Sequence, residues 1–128
     1  MSTEPMDAEE EFLVGAACFK AGNAQEGAHH LRNAAKAGHA QAQNQLARVY
    51  FAQLKTRQDI LSLEGAAQQG DHVAMFVLAM SFLEGRIIEK DTEKAITVLR
   101  YAANAGNLMA QAMLGGNGEE ASGEEPEE

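Results

Sequence analysis

The residues best equipped for chemistry are four histidines and one cysteine. His29, His30, His39 and His72 invite a metal reading, because imidazole is the commonest protein ligand for transition metals. Their spacing argues against it. His29 and His30 are neighbours on a helix and point in different directions, and His39 and His72 open separate helices. No i, i+4 histidine pair exists, and Cys18 alone gives no thiolate cluster, so the histidines are expected to be surface polar positions. Cys18 aligns with Tyr50 and Phe82 once the chain is divided into repeating units, and is expected to be a small buried apolar residue rather than a reactive thiol. A lone cysteine also excludes an internal disulfide, in keeping with a reducing compartment.

An enzyme needs a nucleophile, a base and an orienting group converging in one pocket. The chain has no Gly-x-Ser-x-Gly elbow and no phosphate-cradling glycine loop. Asp91 and Lys94 read as a helix cap and a first-turn residue, not as a catalytic pair. Carboxylates are abundant, but they concentrate at the ends. Of 19 acidic residues, five lie within residues 1–11 (Glu4, Asp7, Glu9, Glu10, Glu11) and six within 117–128 (Glu119, Glu120, Glu124, Glu125, Glu127, Glu128). The other eight face ten Lys and Arg, so a chain of net charge -9 has a body of charge +2. Neither catalysis nor a cofactor is expected. Nucleic-acid binding is not expected either, because it needs a clustered basic footprint. The acidic C-terminal run reads as a solubilising extension, with recognition of a basic partner as the alternative.

The elements that position these residues repeat. Ala34, Ala35 and Gly38 recur as Ala66, Ala67 and Gly70, then as Ala102, Ala103 and Gly106, at spacings of 32 and 36 residues. A period of this length marks a helical solenoid, in which a helix pair cannot bury its apolar face alone and stacks on its neighbours. Cap signals divide the chain further. Asp7-x-x-Glu10 and Asn23-x-x-Glu26 have the form of capping boxes, and Thr56, Asp71 and Asp91 stand before apolar-periodic runs. Helices are expected over about 8–21, 23–37, 39–54, 57–69, 72–84 and 92–105, with a truncated helix over 108–114 covering the sixth. Residues 1–7 form an acidic lead-in and residues 116–128 an acidic tail, both expected to be disordered because they have too little apolar surface to offset the entropy of ordering.

The third unit reads A-x-x-x-L-A-x-x-F-x-x-G-(x5)-D-x-x-K-A-x-x-x-L-x-x-A-A-x-x-G from Ala74 to Gly106, and it resembles the Sel-1-like repeat, a relative of the tetratricopeptide repeat. Units one and two lack the central Gly, Asp and Lys-Ala and are four residues shorter there, so tighter turns are expected in them. The resemblance implies an all-α, right-handed superhelical solenoid of about three antiparallel helix pairs plus a short C-terminal capping helix. It covers residues 8–115, in units 8–38, 39–70 and 71–106 with a cap at 107–115. It also implies a protein-binding function and brings no catalytic residue.

Counting 100° per residue assigns inward positions to Val14, Cys18, Leu46, Tyr50, Leu78 and Phe82 on the first helices, with Leu31, Ile60, Leu63 and Leu99 on the second. Gly15, Ala47 and Ala79 share one aligned position, where a small side chain lets helices approach closely. The opposite face of the first helices carries Phe12, Ala16 and Phe19, then Asn44, Arg48 and Phe51, then Phe76, Met80 and Leu83. In the family these helices line the concave side, so the resemblance implies a partner-binding groove of Phe12, Phe19, Asn44, Arg48, Phe51, Phe76, Met80 and Leu83. The function expected is that of an adaptor or scaffold; the alternative is a small inhibitor or immunity-type protein that blocks an enzyme or toxin by stoichiometric binding. No stretch reaches the ~20 apolar residues of a membrane span, and a cytoplasmic monomer or weak homodimer is expected.

Overall fold

A computed structural model of the chain describes residues 6–115, and the expectations for residues 1–5 and 116–128 fall outside that range. Each helix start is fixed by a side chain that accepts a hydrogen bond from an otherwise unpartnered amide of the first turn. Asp7 opens α1 (Ala8–Lys20) and Thr56 opens α4 (Arg57–Gln68), each in a complete capping box, with Glu10 and Asp59 reaching back. Asn23 opens α2 (Ala24–Lys36), His39 opens α3 (Ala40–Gln53), and Asp71 opens α5 (His72–Glu84). Asp91 opens α6 (Thr92–Asn104) and Asn107 opens α7 (Leu108–Met113). The described residues are all-helical in these seven elements, with no strand.

The sequence period reappears as a repeated helix stop. Gly38, Gly70 and Gly106 have φ of 94°, 96° and 104°, a region that side-chain-bearing residues seldom occupy. Behind each glycine the next amide turns back to the first Ala of the Ala-Ala pair. His39 N donates to Ala34 O at 3.0 Å, Asp71 N to Ala66 O at 3.1 Å, and Asn107 N to Ala102 O at 2.9 Å. Three equivalent stops are thus followed by three capping residues at equivalent positions. The turns within the units differ as the sequence predicts: residues 21–23 and 54–56 supply three each, against the seven of 85–91.

Packing departs from the expected pairing in the second unit. α1 packs on α2, and α5 on α6, but α3 and α4 barely touch. α3 ends without a glycine: Leu54 caps it in an extended conformation (φ −76°, ψ 110°) and is buried, so the chain runs away from α3 before α4 begins. α4 packs instead on α5, and α3 reaches across to α5 and α7. α5 is consequently enclosed from several sides, and eight of its thirteen residues are buried.

The inward positions hold for Leu46, Tyr50, Leu78, Leu31, Ile60, Leu63 and Leu99, all buried. Val14, Cys18 and Phe82 are only half-buried. In α1 the buried residues are Phe12 and Gly15. A Cβ on Gly15 would stand 3.1 Å from Gly27 O and 3.3 Å from Leu31 N, so the missing side chain is what lets α1 approach the α2 backbone.

Candidate functional site

Of the eight groove residues, two belong to the core. Phe12 is 9% exposed and its ring stacks on His39, with centroids 4.4 Å apart and planes at 21°. Phe76 is 8% exposed within the enclosed α5. The expectation that both face solvent is therefore corrected. Equal spacing predicts equal faces only where the neighbours are equal, and among the described residues α1 packs mainly on α2 whereas α5 packs on α3, α4 and α6. Asn44 and Arg48 are exposed, and Phe19, Phe51, Met80 and Leu83 are half-buried. Phe19, Phe51 and Met80 lean on the core with their remaining surface open.

Two of these residues meet. A hollow of about 290 Å³ between α1 and α3 is lined by Ala16 and Phe19 from α1, Leu31 from α2, and Gln45, Arg48 and Val49 from α3. Its walls are mainly apolar, and Arg48 is the one charged residue lining it. Phe19 is placed by an absence on the facing helix: a Cβ on Gly27 would lie 2.6 Å from the Phe19 ring. The ring therefore occupies the space that a side chain at position 27 would fill. Phe51, Met80 and Leu83 do not line this hollow, so the expected strip is represented by its α1–α3 end. Gln45 and Val49 were not singled out by the spacing argument. Gly27, a glycine inside a helix, was the available signal, since that position costs helix stability and commonly marks a close approach.

The histidines divide into two kinds. His30 Nδ1 lies 2.7 Å from Glu11 Oε1, and His39 Nε2 lies 2.8 Å from Glu9 Oε1, so these contacts tie α1 to α2 and to the start of α3. His39 also accepts from Ala42 N through Nδ1 at 3.1 Å, which places its ring proton on Nε2. His72 is buried, which corrects its assignment to the surface. Asn107 Nδ2 approaches its Nδ1 at 3.1 Å and donates to its carbonyl at 3.3 Å. Burial holds the His72 imidazole below the usual histidine range, against the raising effects of the Asp71 charge and the Ala35 carbonyl. Among the described residues no group of three or more His, Cys, Asp or Glu is placed to hold a metal ion.

Gln43, fully buried, completes this polar layer. Its amide donates to Ala35 O at 3.1 Å and Gly106 O at 3.2 Å, and its Oε1 accepts from Leu108 N at 2.8 Å. One side chain thus joins the end of α2, the stop after α6 and the start of α7. Nearby, Tyr50 Oη donates to Asp71 Oδ2 at 2.5 Å; burial first and the Asp71 carboxylate second push the phenol above its ordinary value.

Comparison with protein-family models, with curated proteins and with solved structures finds no match to this chain. No helix among the described residues is long and apolar enough to cross a membrane.

Proposed function

We propose that the chain is a Sel-1-like repeat module, a solenoid of helix pairs that binds a segment of another protein and performs no catalysis of its own. The recurring stops at Gly38, Gly70 and Gly106 support the repeat reading, because the same backbone geometry returns at the sequence period. The observation that carries the binding reading is the α1–α3 hollow. There an exposed Arg48 stands beside Phe19 and Val49, and no acidic residue lines the hollow to pair with it. Such a site accepts an apolar side chain against Phe19 and a carboxylate on Arg48, the arrangement by which grooves between helices hold peptide segments. The half-buried Phe51, Met80 and Leu83 extend apolar surface beyond it, with Met80 able to adjust its shape to a ligand.

The test is a photo-crosslinking amino acid at position 48 or 51 of the full chain, expressed in the native host. A protein adduct at these positions and not at the exposed Tyr101 supports the surface. The same adducts at all three positions, or none at 48 and 51, would remove it.

A further inference from the structure

A second surface lies where α2 faces the corner between α4 and α5. α2 and α4 barely touch, and the gap leaves a groove of about 410 Å³. It shares no lining residue with the α1–α3 hollow. Its floor is small, with Ala35 on one side and Ala66 and Gly70 on the other, so a ligand backbone can come close. Arg32 and Lys36 stand on the α2 wall, one helical turn apart and both exposed.

The charges in this groove are unequally occupied. Among the described residues no carboxylate oxygen lies within 4.0 Å of the Arg32 or Lys36 nitrogens. Asp71 is the one acidic residue in the lining, and its oxygens already accept from Val73 N, Ala74 N and Tyr50 Oη. His72, also in the lining, is buried and kept neutral, so it adds no charge. Lys36 makes no side-chain hydrogen bond among the described residues, Arg32 lies beside the Tyr50 hydroxyl with the rest of its guanidinium exposed, and the Asp71 carboxylate is held by three donors. Side chains four residues apart on a helix have Cβ atoms about 5–6 Å apart. An extended chain brings side chains i and i+2 to one side about 6–7 Å apart.

We infer that this groove docks an extended acidic segment of a partner protein, with carboxylates two residues apart seated on Arg32 and Lys36. Charge and spacing select it together: a basic segment would meet the exposed Arg32 and Lys36, and the two-residue repeat of an extended chain matches their separation on the helix. The inference goes beyond the Arg48 surface and does not depend on it.

The probe is a fluorescent peptide of alternating Glu and Ala, titrated into the full-length protein, with an alternating Gln and Ala peptide as control. The Glu peptide is expected to bind at least tenfold more tightly than the control and to weaken as salt rises, since exposed ion pairs are screened. Lys36→Glu should weaken it at least tenfold while the helical circular-dichroism signal and melting temperature hold; Arg32→Glu should act in the same direction. Because Arg32 stands near Tyr50, Lys36→Glu decides the matter if Arg32→Glu unfolds. Arg48→Glu should leave this binding unchanged, which separates the two surfaces. Equal binding of both peptides, or wild-type binding by Lys36→Glu, overturns the inference. So does binding that emerges only after residues 117–128 are removed, since the occupant would then be the chain's own acidic tail.

Discussion

The Gln43 amide donates to the Gly106 carbonyl over 3.2 Å although 63 positions separate them in the chain. With its bonds to Ala35 O and Leu108 N, the fully buried Gln43 side chain has both amide hydrogens and its carbonyl oxygen partnered. A buried carbonyl or amide left without a partner costs about 1–3 kcal/mol. Gln43→Leu strands two such groups, Gly106 O and Leu108 N, since Ala35 O also accepts from Gly38 N, and relaxation recovers part of the loss. A destabilisation of about 2 kcal/mol is expected in urea unfolding, and a loss under about 0.5 kcal/mol would mean that water reaches the site.

This contact also shows what was legible in the sequence. The caps at Asp7, Asn23, Thr56, Asp71 and Asp91 and the stops at Gly38, Gly70 and Gly106 were readable because each depends on residues within five positions. Gln43 was not, because its partners are set by how α2, α6 and α7 converge. Phe12 was misplaced for a related reason, because its cover is the ring of His39 at the start of α3. Phe76 was misplaced because the Val73–Met80 run of α5 is apolar all round, and a helix without a polar face has no side that periodicity can assign. The α1–α3 hollow was half legible. Its Phe19 and Arg48 followed from alignment, while Gln45 and Val49 depend on the angle at which α3 passes α1.

Two glycines inside helices should respond oppositely to the same substitution. Gly65 in α4 has open space where a Cβ would go, so Gly65→Ala should gain about 0.5–1 kcal/mol from helix propensity alone. Gly27 would place its Cβ 2.6 Å from the Phe19 ring, and overpacking of this kind typically costs about 1–3 kcal/mol. Gly27→Ala should therefore lower the melting temperature while Gly65→Ala raises it. Similar shifts in one direction would show that Phe19 turns away at no cost.

His72 makes stability depend on pH in a defined direction. Burial lowers its folded pKa, so above about pH 6.5, the ordinary histidine value, folded and unfolded chains both hold the ring neutral and its contribution is complete. As the pH falls below that value the unfolded chain binds the proton first. Stability then declines, no faster than about 1.4 kcal/mol per pH unit, until the folded ring protonates as well. Chemical denaturation between pH 7.5 and 5 should show a shallower loss in His72→Gln than in the wild type. The His30–Glu11 and His39–Glu9 contacts are present in both proteins, so the difference isolates His72.

The aromatic residues of the expected groove should separate by what surrounds them. Phe76 is enclosed in α5, and truncating a buried Phe to Ala costs about 3–5 kcal/mol, a large share of the stability available to a chain of 128 residues. Phe51 is half-buried at the edge of the core, and Arg48 is exposed. Phe76→Ala should therefore reduce partner capture through unfolding, visible as a lower melting temperature and a smaller helical signal. Arg48→Glu should reduce capture with both readings unchanged, by reversing the one charge lining the α1–α3 hollow. Phe51→Ala should fall between, losing roughly 1–2 kcal/mol of stability because only part of its ring leaves a packed environment. Capture by the photo-crosslinked partner, measured beside the melting curve of each variant, separates these outcomes. A folded Arg48→Glu protein that captures as well as the wild type would show that the hollow does not hold the partner.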